Sequence, residues 1–532
     1  MSFRAAPLLV LPLCLHGQVG VSMNRYDANA TGANTHETIL NASNVNPAGF
    51  GKLYSYYVDG AVYAQPLYAP SVSIAGHGSR NVLYVATMND KFYAFDADQF
   101  GPPLWMRDFT DELAGVVPVP VIDITGRGDL NIVGNVGIEG TPVVDPAARA
   151  IFAVVRTREN GAYVQRLHKL DMAGGRDMQP PAVVEAGAKS SADDAVNGVV
   201  KFDPKAGNQR PALALVHGDA GMAAVTTVVI AWASHEDIQP YHGWVMAYDA
   251  ATLKQLGAVC VTPDGIEGGI WQSGRGPAVG QDGSIYFEVG NGDWDGVKNF
   301  GSSLLRMSVG RSGLTIDDFF TPRDYEALNK RDADLGSTGP LLIPGSNLLV
   351  AGSKNGTFFV LDGHNLGHMT PDNKGALQTV ETKGGRMLAG PAYWEGPAGP
   401  AIYQWSESDF LKAYHFKDGR IDPDFFAKGS VSSRGSPGGT ISISADGSRA
   451  GTGIVWGTIT NGGSADHGNT AGVLYAVNAE TLEALWNTQQ NVKRDRLGTL
   501  VKFTPPMVAA GKVYIPNYDN AVNGYGLLPA AR

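Results

Sequence analysis

Cysteine is nearly absent. The chain of 532 residues has two, Cys14 and Cys260. Once an N-terminal leader is set aside only Cys260 remains, so the mature chain has no internal disulfide and no thiolate metal site. No CxxCH haem attachment occurs. Charge is also scarce: Asp, Glu, Lys and Arg make up 17% of the residues, against about 25% in ordinary soluble proteins. No block of Lys or Arg offsets the net charge of −10, which makes nucleic acid and anionic membrane poor partners. No apolar run is long enough for a transmembrane segment. A strand-then-helix glycine loop for a dinucleotide and a GxSxG nucleophile elbow are both missing.

The N-terminus carries Arg4 and then an apolar run from Ala5 to Leu15. That order is the pattern of a secretory signal. It predicts a signal peptide over residues 1–22, a mature chain over 23–532, and a secreted or periplasmic location. The bulky Leu13 before Cys14 argues against a lipoprotein-type anchor.

Glycine is abundant, at 68 residues, and the chain repeats itself. Each unit has a Pro or Gly leading into a short apolar strand, a tight turn, a second strand rich in Val, Ile and Tyr, a polar loop, and a third strand that often ends in an acid. Such units begin at Ala64, Gly140, Arg210, Arg275, Thr338, Ala389, Pro437 and Thr504. Several add a fourth strand with a tryptophan, as in "PLWMRDF" and "EALWNTQQ". Length alone suggests two to four domains, but strands this short cannot each bury both faces unless the sheets pack radially. The last unit shows only three strands, while "GKLYSYYVDG" (Gly51 to Gly60) stands alone near the start. Pairing the two closes a ring and removes its exposed edges. The expected fold is therefore all-β: one eight-bladed β-propeller of four-stranded antiparallel blades, with an N-terminal strand completing the C-terminal blade.

In this architecture the loops between second and third strands, and the links between blades, gather on one face. They bring together acids, amides, indoles and cations, the composition of a ligand site. Three of these loops are longer than a hairpin needs: "ASHEDIQPYHGW", "VGNGDWDGVKNFG" and "TITNGGSADHGNTAG". His235 and His242, seven apart on a loop, do not have a recognisable zinc spacing. "GNGDWDG" is only loosely like a calcium-binding acidic loop. Lys354 stands out because it sits on an Asn355-Gly356 turn. The turn chemistry asks for Asn-Gly but not for a lysine.

The repeats "KFYAFDADQFGPPLW" and "VLYAVNAETLEALW" resemble the blade motif of the pyrroloquinoline-quinone (PQQ) propellers, over nearly the whole mature chain. Within that family the chain resembles the secreted bacterial proteins with PQQ-like repeats. Local segments resemble the quinoprotein alcohol dehydrogenases further. "KNGTFFVLDG" implies that Lys354 contacts the quinone, and "GGIWQSG" that the cofactor stacks on Trp271. "YFEVGNGDW" implies Asn291 as a calcium ligand, and "HEDIQPYHGWVMAYDA" gives a second ligand at Asp237 or Glu236. "RDADLGST" places the catalytic base on Asp332, with Asp334 beside it. Arg386 and Arg434 join Lys354 as cations for the cofactor's carboxylates. The resemblance thus implies a PQQ- and calcium-dependent dehydrogenase of a small-molecule alcohol or sugar that passes electrons to an external acceptor. The chain departs from the family in two ways. The adjacent-cysteine pair is absent, and Arg331 replaces the aromatic residue before the catalytic acid. A binding or scaffold propeller that has lost the cofactor, with a sugar, peptide or polysaccharide in the same basin, is the competing reading.

Overall fold

The computed structural model describes residues 19–126, 131–132, 134–218, 225–466 and 468–529. Eight small antiparallel sheets follow one another around an axis. Blade 1 runs through Leu67–Ile74, Gly78–Ala86, Lys91–Asp96 and Trp105–Asp108. Blade 5, which carries Lys354, runs through Leu341–Leu342, Leu348–Gly352, Thr357–Asp362 and Gln378–Glu381. An extra two-stranded hairpin, Gly187–Lys189 with Val199–Lys201, lies between blades 2 and 3 in the chain.

The core is divided in the way a ring requires. Phe152 of blade 2 packs with Trp232 of blade 3, and Val229 of blade 3 with Phe287 of blade 4. Further round, Leu304 meets Phe359, and Phe358 meets Tyr414. Trp405 packs with Val455, and Trp456 with Val513. The last cluster joins Tyr514 of blade 8 to Phe95 of blade 1. Each sheet therefore buries both faces against its two neighbours, which explains why its middle strands, such as Leu348–Gly352 and Thr357–Asp362, are buried at nearly every position.

Closure is as the sequence predicts. Phe50–Tyr57 pairs antiparallel with Ala521–Leu527 and is the fourth strand of blade 8. The register slips between Lys52 and Tyr54, and that bulge moves the even-numbered residues from one face to the other. Phe50 consequently meets Trp456 and Trp486 on the blade 7 side, with ring centroids 5.4 and 5.0 Å away. Tyr56 stacks on Phe95 on the blade 1 side at 4.3 Å.

One feature has no counterpart in the sequence reading. The segment after residue 20 runs round the inner edges of the blades like a belt. Val21 pairs with Tyr68 of blade 1, and the carbonyls of Ser22, Ala28, Asn29, Thr31 and Gly32 accept from Val144, Val279, Leu342, Tyr393 and Ile443. The belt satisfies backbone groups that would otherwise line an empty channel. Residues 1–18 of the expected signal segment lie outside the described residues, whereas Val21 and Ser22 belong to this belt. Among the described residues no helix is long and apolar enough to cross a membrane.

Candidate functional site

The loops converge on a cavity of about 320 Å³ over the axis. Glu236, Asp237, Trp271, Asn291, Asp332, Asp334, Lys354 and Arg386 all line it. They come from three successive blades, 3 to 5, and the links that follow them, and close backbone contact sets their spacing. A Cβ on Gly336 would lie 2.4 Å from the amide nitrogen of Gly290. Glycine there lets the link carrying Asp332 and Asp334 press against the loop that carries Asn291.

Lys354 sits on a four-residue turn between two buried strands. Only Gly356 has a positive φ, +88°; the Asn355 backbone does not, contrary to a hairpin with both central residues left-handed. Asn355 is used for its side chain instead, its Oδ1 accepting from Thr357 N at 3.1 Å. The turn points the lysine into the cavity. Nζ lies 2.5 Å from Asp332 Oδ1 and 2.8 Å from Asp334 Oδ1. Burial alone would lower the Lys354 pKa, but Asp334 and then Asp332 outweigh it and hold the ammonium above its ordinary range. Asn291 Nδ2 also donates to Asp332 Oδ1, at 3.2 Å, while Asn291 Oδ1 is buried without a hydrogen-bond partner among the described residues.

Glu236 and Asp237 lie on a short 3-10 turn, His235–Asp237, both with positive φ. Glu236 Oε1 accepts from Asn131 Nδ2 at 2.6 Å, and Asp237 Oδ1 from the Tyr241 hydroxyl at 3.1 Å. Burial raises the Asp237 pKa; Asp332 and Asp334 add to this, and Lys354 opposes it. Deeper in, the same burial, together with Arg156 and Arg210, pushes the His235 imidazole far below its usual pKa.

Arg434 is not part of the cavity. It is exposed, its backbone has φ +52°, and it does not line the basin. Arg386 reaches the cavity, but Glu407 already grips it at 2.5 and 3.2 Å, and Asp466 at 3.2 Å. In the acidic loop "GNGDWDG" the Asp295 carboxylate is satisfied locally. Asp295 Oδ1 accepts from Val297, Lys298 and Asn299, and Asn299 Nδ2 caps its other oxygen. Among the described residues no three His, Cys, Asp or Glu side chains form a metal-holding group.

Several lining residues escaped the sequence reading: Asn131, Asn208, Arg210, Lys502 and Phe503. Phe503 packs edge-on against Trp271 at 5.0 Å, and the Arg210 guanidinium lies over the Phe503 ring at 5.6 Å. Arg210 and Lys502 directly precede the proline that opens a blade, or stand within three residues of it. That position was the available signal.

No protein-family model matches the chain, and no curated protein does. Solved structures do. A quinohemoprotein alcohol dehydrogenase from Pseudomonas putida HK5 superposes with a TM-score of 0.53 at 15% identity, over 96% of this chain and 82% of that one. A europium-containing methanol dehydrogenase gives 0.56 at 12%, over 93% and 88%. A quinohemoprotein alcohol dehydrogenase from Comamonas testosteroni gives 0.56 at 13%, over 96% and 81%. The chain shares the eight-bladed propeller fold of these dehydrogenases. In this quinoprotein-like propeller the basin lies over the ring axis, where sequence-distant side chains meet.

Proposed function

We propose that this quinoprotein-like propeller holds PQQ and a calcium ion in its basin and oxidises a small alcohol or sugar. One observation carries the reading: Trp271, Asn291, Asp332 and Lys354, from separate loops, line a single cavity of about 320 Å³. The residues present fit such a ligand. The indole offers a face for a flat ring system, and Lys354 a cation for its polar edge. The unpartnered Oδ1 of Asn291 and the carboxylate of Asp237 are hard oxygen donors for calcium. Two protein oxygens are few for an ion that takes about six to eight. When bound, the quinone supplies the hydride acceptor and the metal polarises it.

The chain's own part is proton handling and orientation. Asp332 is the base. Its side chain is 64% exposed, Lys354 and Asn291 fix Oδ1, and it faces the cavity as a carboxylate ready to take a hydroxyl proton. Asp334, only 5% exposed, stays behind the lysine and holds it in place; its Oδ2 accepts from Gly336 N at 3.1 Å. Electrons leave to a separate acceptor, and the charge-then-apolar N-terminus supports secretion or a periplasmic location.

A second observation favours the non-redox alternative. The basin's cations are engaged: Lys354 with two aspartates, Arg386 with Glu407 and Asp466, and Arg210 with Glu139 at 3.2 Å. A neutral sugar or polysaccharide needs no free cation, whereas a tricarboxylate does. Titration with PQQ and CaCl2, followed by absorption and then dye-linked oxidation of an alcohol and sugar panel, separates the two. Uptake with turnover is expected. Uptake without turnover favours the binding role, and no uptake removes the redox reading.

A further inference from the structure

We infer that His235 and Asn208 form a donor–acceptor pair on the basin floor that reads a ring N–H and the carboxylate beside it on the bound ligand. The inference deepens the proposed function and rests on it.

His235 is 1% exposed and lines the cavity. Its Nε2 lies 2.8 Å from Arg156 Nη1. A guanidinium has only donors, so Nε2 accepts and the ring proton must sit on Nδ1. Glu139 Oε2, at 3.9 Å from Nε2, is too far to take a proton from it instead. Nδ1 is therefore a buried N–H, and it has no partner among the described residues. Asn208 is 6% exposed, lines the same cavity, and its Oδ1 is a buried acceptor likewise without a partner.

Strand register places the two together. Asn208 pairs with Ala233 and Gly207 with Ser234, and His235 N donates to Ala206 O at 3.0 Å. Side chains alternate along a strand, so Asn208 and His235 belong to one face of this ladder. Buried polar atoms in native proteins nearly always have a partner; here one donor and one acceptor, without partners among the described residues, belong to two side chains that line the space a ligand would enter. PQQ has a pyrrole N–H adjacent to a carboxylate, the complementary pattern. Asn208 Oδ1 accepts the N–H and His235 Nδ1–H donates to the carboxylate. Arg210, beside them on the floor and held by Glu139, adds positive potential at that carboxylate.

The test is calorimetric titration of the full chain with PQQ in CaCl2, and separately with the PQQ trimethyl ester. The proteins compared are wild type, His235→Phe, His235→Asn and Asn208→Leu, each checked for folding by circular dichroism and melting. His235→Phe and Asn208→Leu are expected to weaken PQQ binding roughly ten- to hundredfold. His235→Asn keeps an N–H close to the Nδ1 position and should recover most of the loss. The ester should bind wild type more weakly, and His235→Phe should cost it little more. Variants that bind PQQ like wild type, or a loss for His235→Phe that is equal on acid and ester, overturn the pairing while leaving the proposed function intact. A wild-type chain that takes up no PQQ overturns both.

Discussion

The ammonium of Lys354 lies between a nearly buried carboxylate, Asp334, and a mostly exposed one, Asp332, so the two aspartates do different work. Lys354→Met would strand Asp334 as an uncompensated buried charge and should cost about 3 kcal/mol, read as a lower denaturation midpoint. Asp332→Asn keeps an oxygen for Lys354 and Asn291 but cannot accept a proton. Under the redox reading it should lower kcat roughly 10²- to 10⁴-fold while PQQ affinity stays within a few-fold, as measured by titration beside turnover. A third residue sets a pH dependence. Glu288 is fully buried, and desolvation pushes its pKa up to about 8, although Gly339 N, Thr338 Oγ1 and Arg275 resist. Its folded value lies above its unfolded one, so its stabilising contribution is complete below about pH 4.5 and is lost as pH rises through about 8. Glu288→Gln should flatten the fall in stability across that window, as followed by melting temperature against pH. No change in slope would show that Glu288 ionises normally.

At the scale of the element, the closing strand was legible because its pieces were: three strands at the end of the chain and one unpaired strand at the start. Its detail was not. Nothing in "FGKLYSYY" marks the bulge after Lys52 that turns Phe50 toward Trp456 and Tyr56 toward Phe95, because a bulge depends on the partner strand. The belt was illegible for a related reason. Its carbonyls pair with amides of blades far along the chain, and backbone pairing leaves no side-chain pattern to read. Phe50 couples the closing strand to blade 7, with no exposed surface and two indoles against it. Phe50→Ala should cost about 3–5 kcal/mol. It should also promote association by loosening the strand that covers the edge of Ala521–Leu527. Light scattering alongside the melt reads both; an unchanged melt would mean that the ring closes without this strand.

For the whole molecule, the architecture decided which residues meet, and motif likeness decided which to name. Trp271, Asn291, Asp332 and Lys354 were recoverable because each lies in a local segment with its own pattern. Arg434 lies in a link that reaches the basin through Ser436 but is itself exposed and outside the lining, and Asn208 and Lys502 were missed because no motif surrounds them. The basin draws on loops from one side of the ring and closes on Lys502 and Phe503 from the link into blade 8, so a ligand there ties blades together rather than ordering one loop. Binding should then raise the stability of the entire ring by mass action, about 2.7 kcal/mol at a hundred times Kd. Because Asn291 Oδ1 and Asp237 give a metal few protein donors, neither PQQ nor calcium alone should reach that shift. The two together should raise the melting temperature in a single cooperative transition, and EDTA should abolish the gain. A full shift from PQQ in the presence of EDTA would mean that the cations of the basin hold the ligand without a metal.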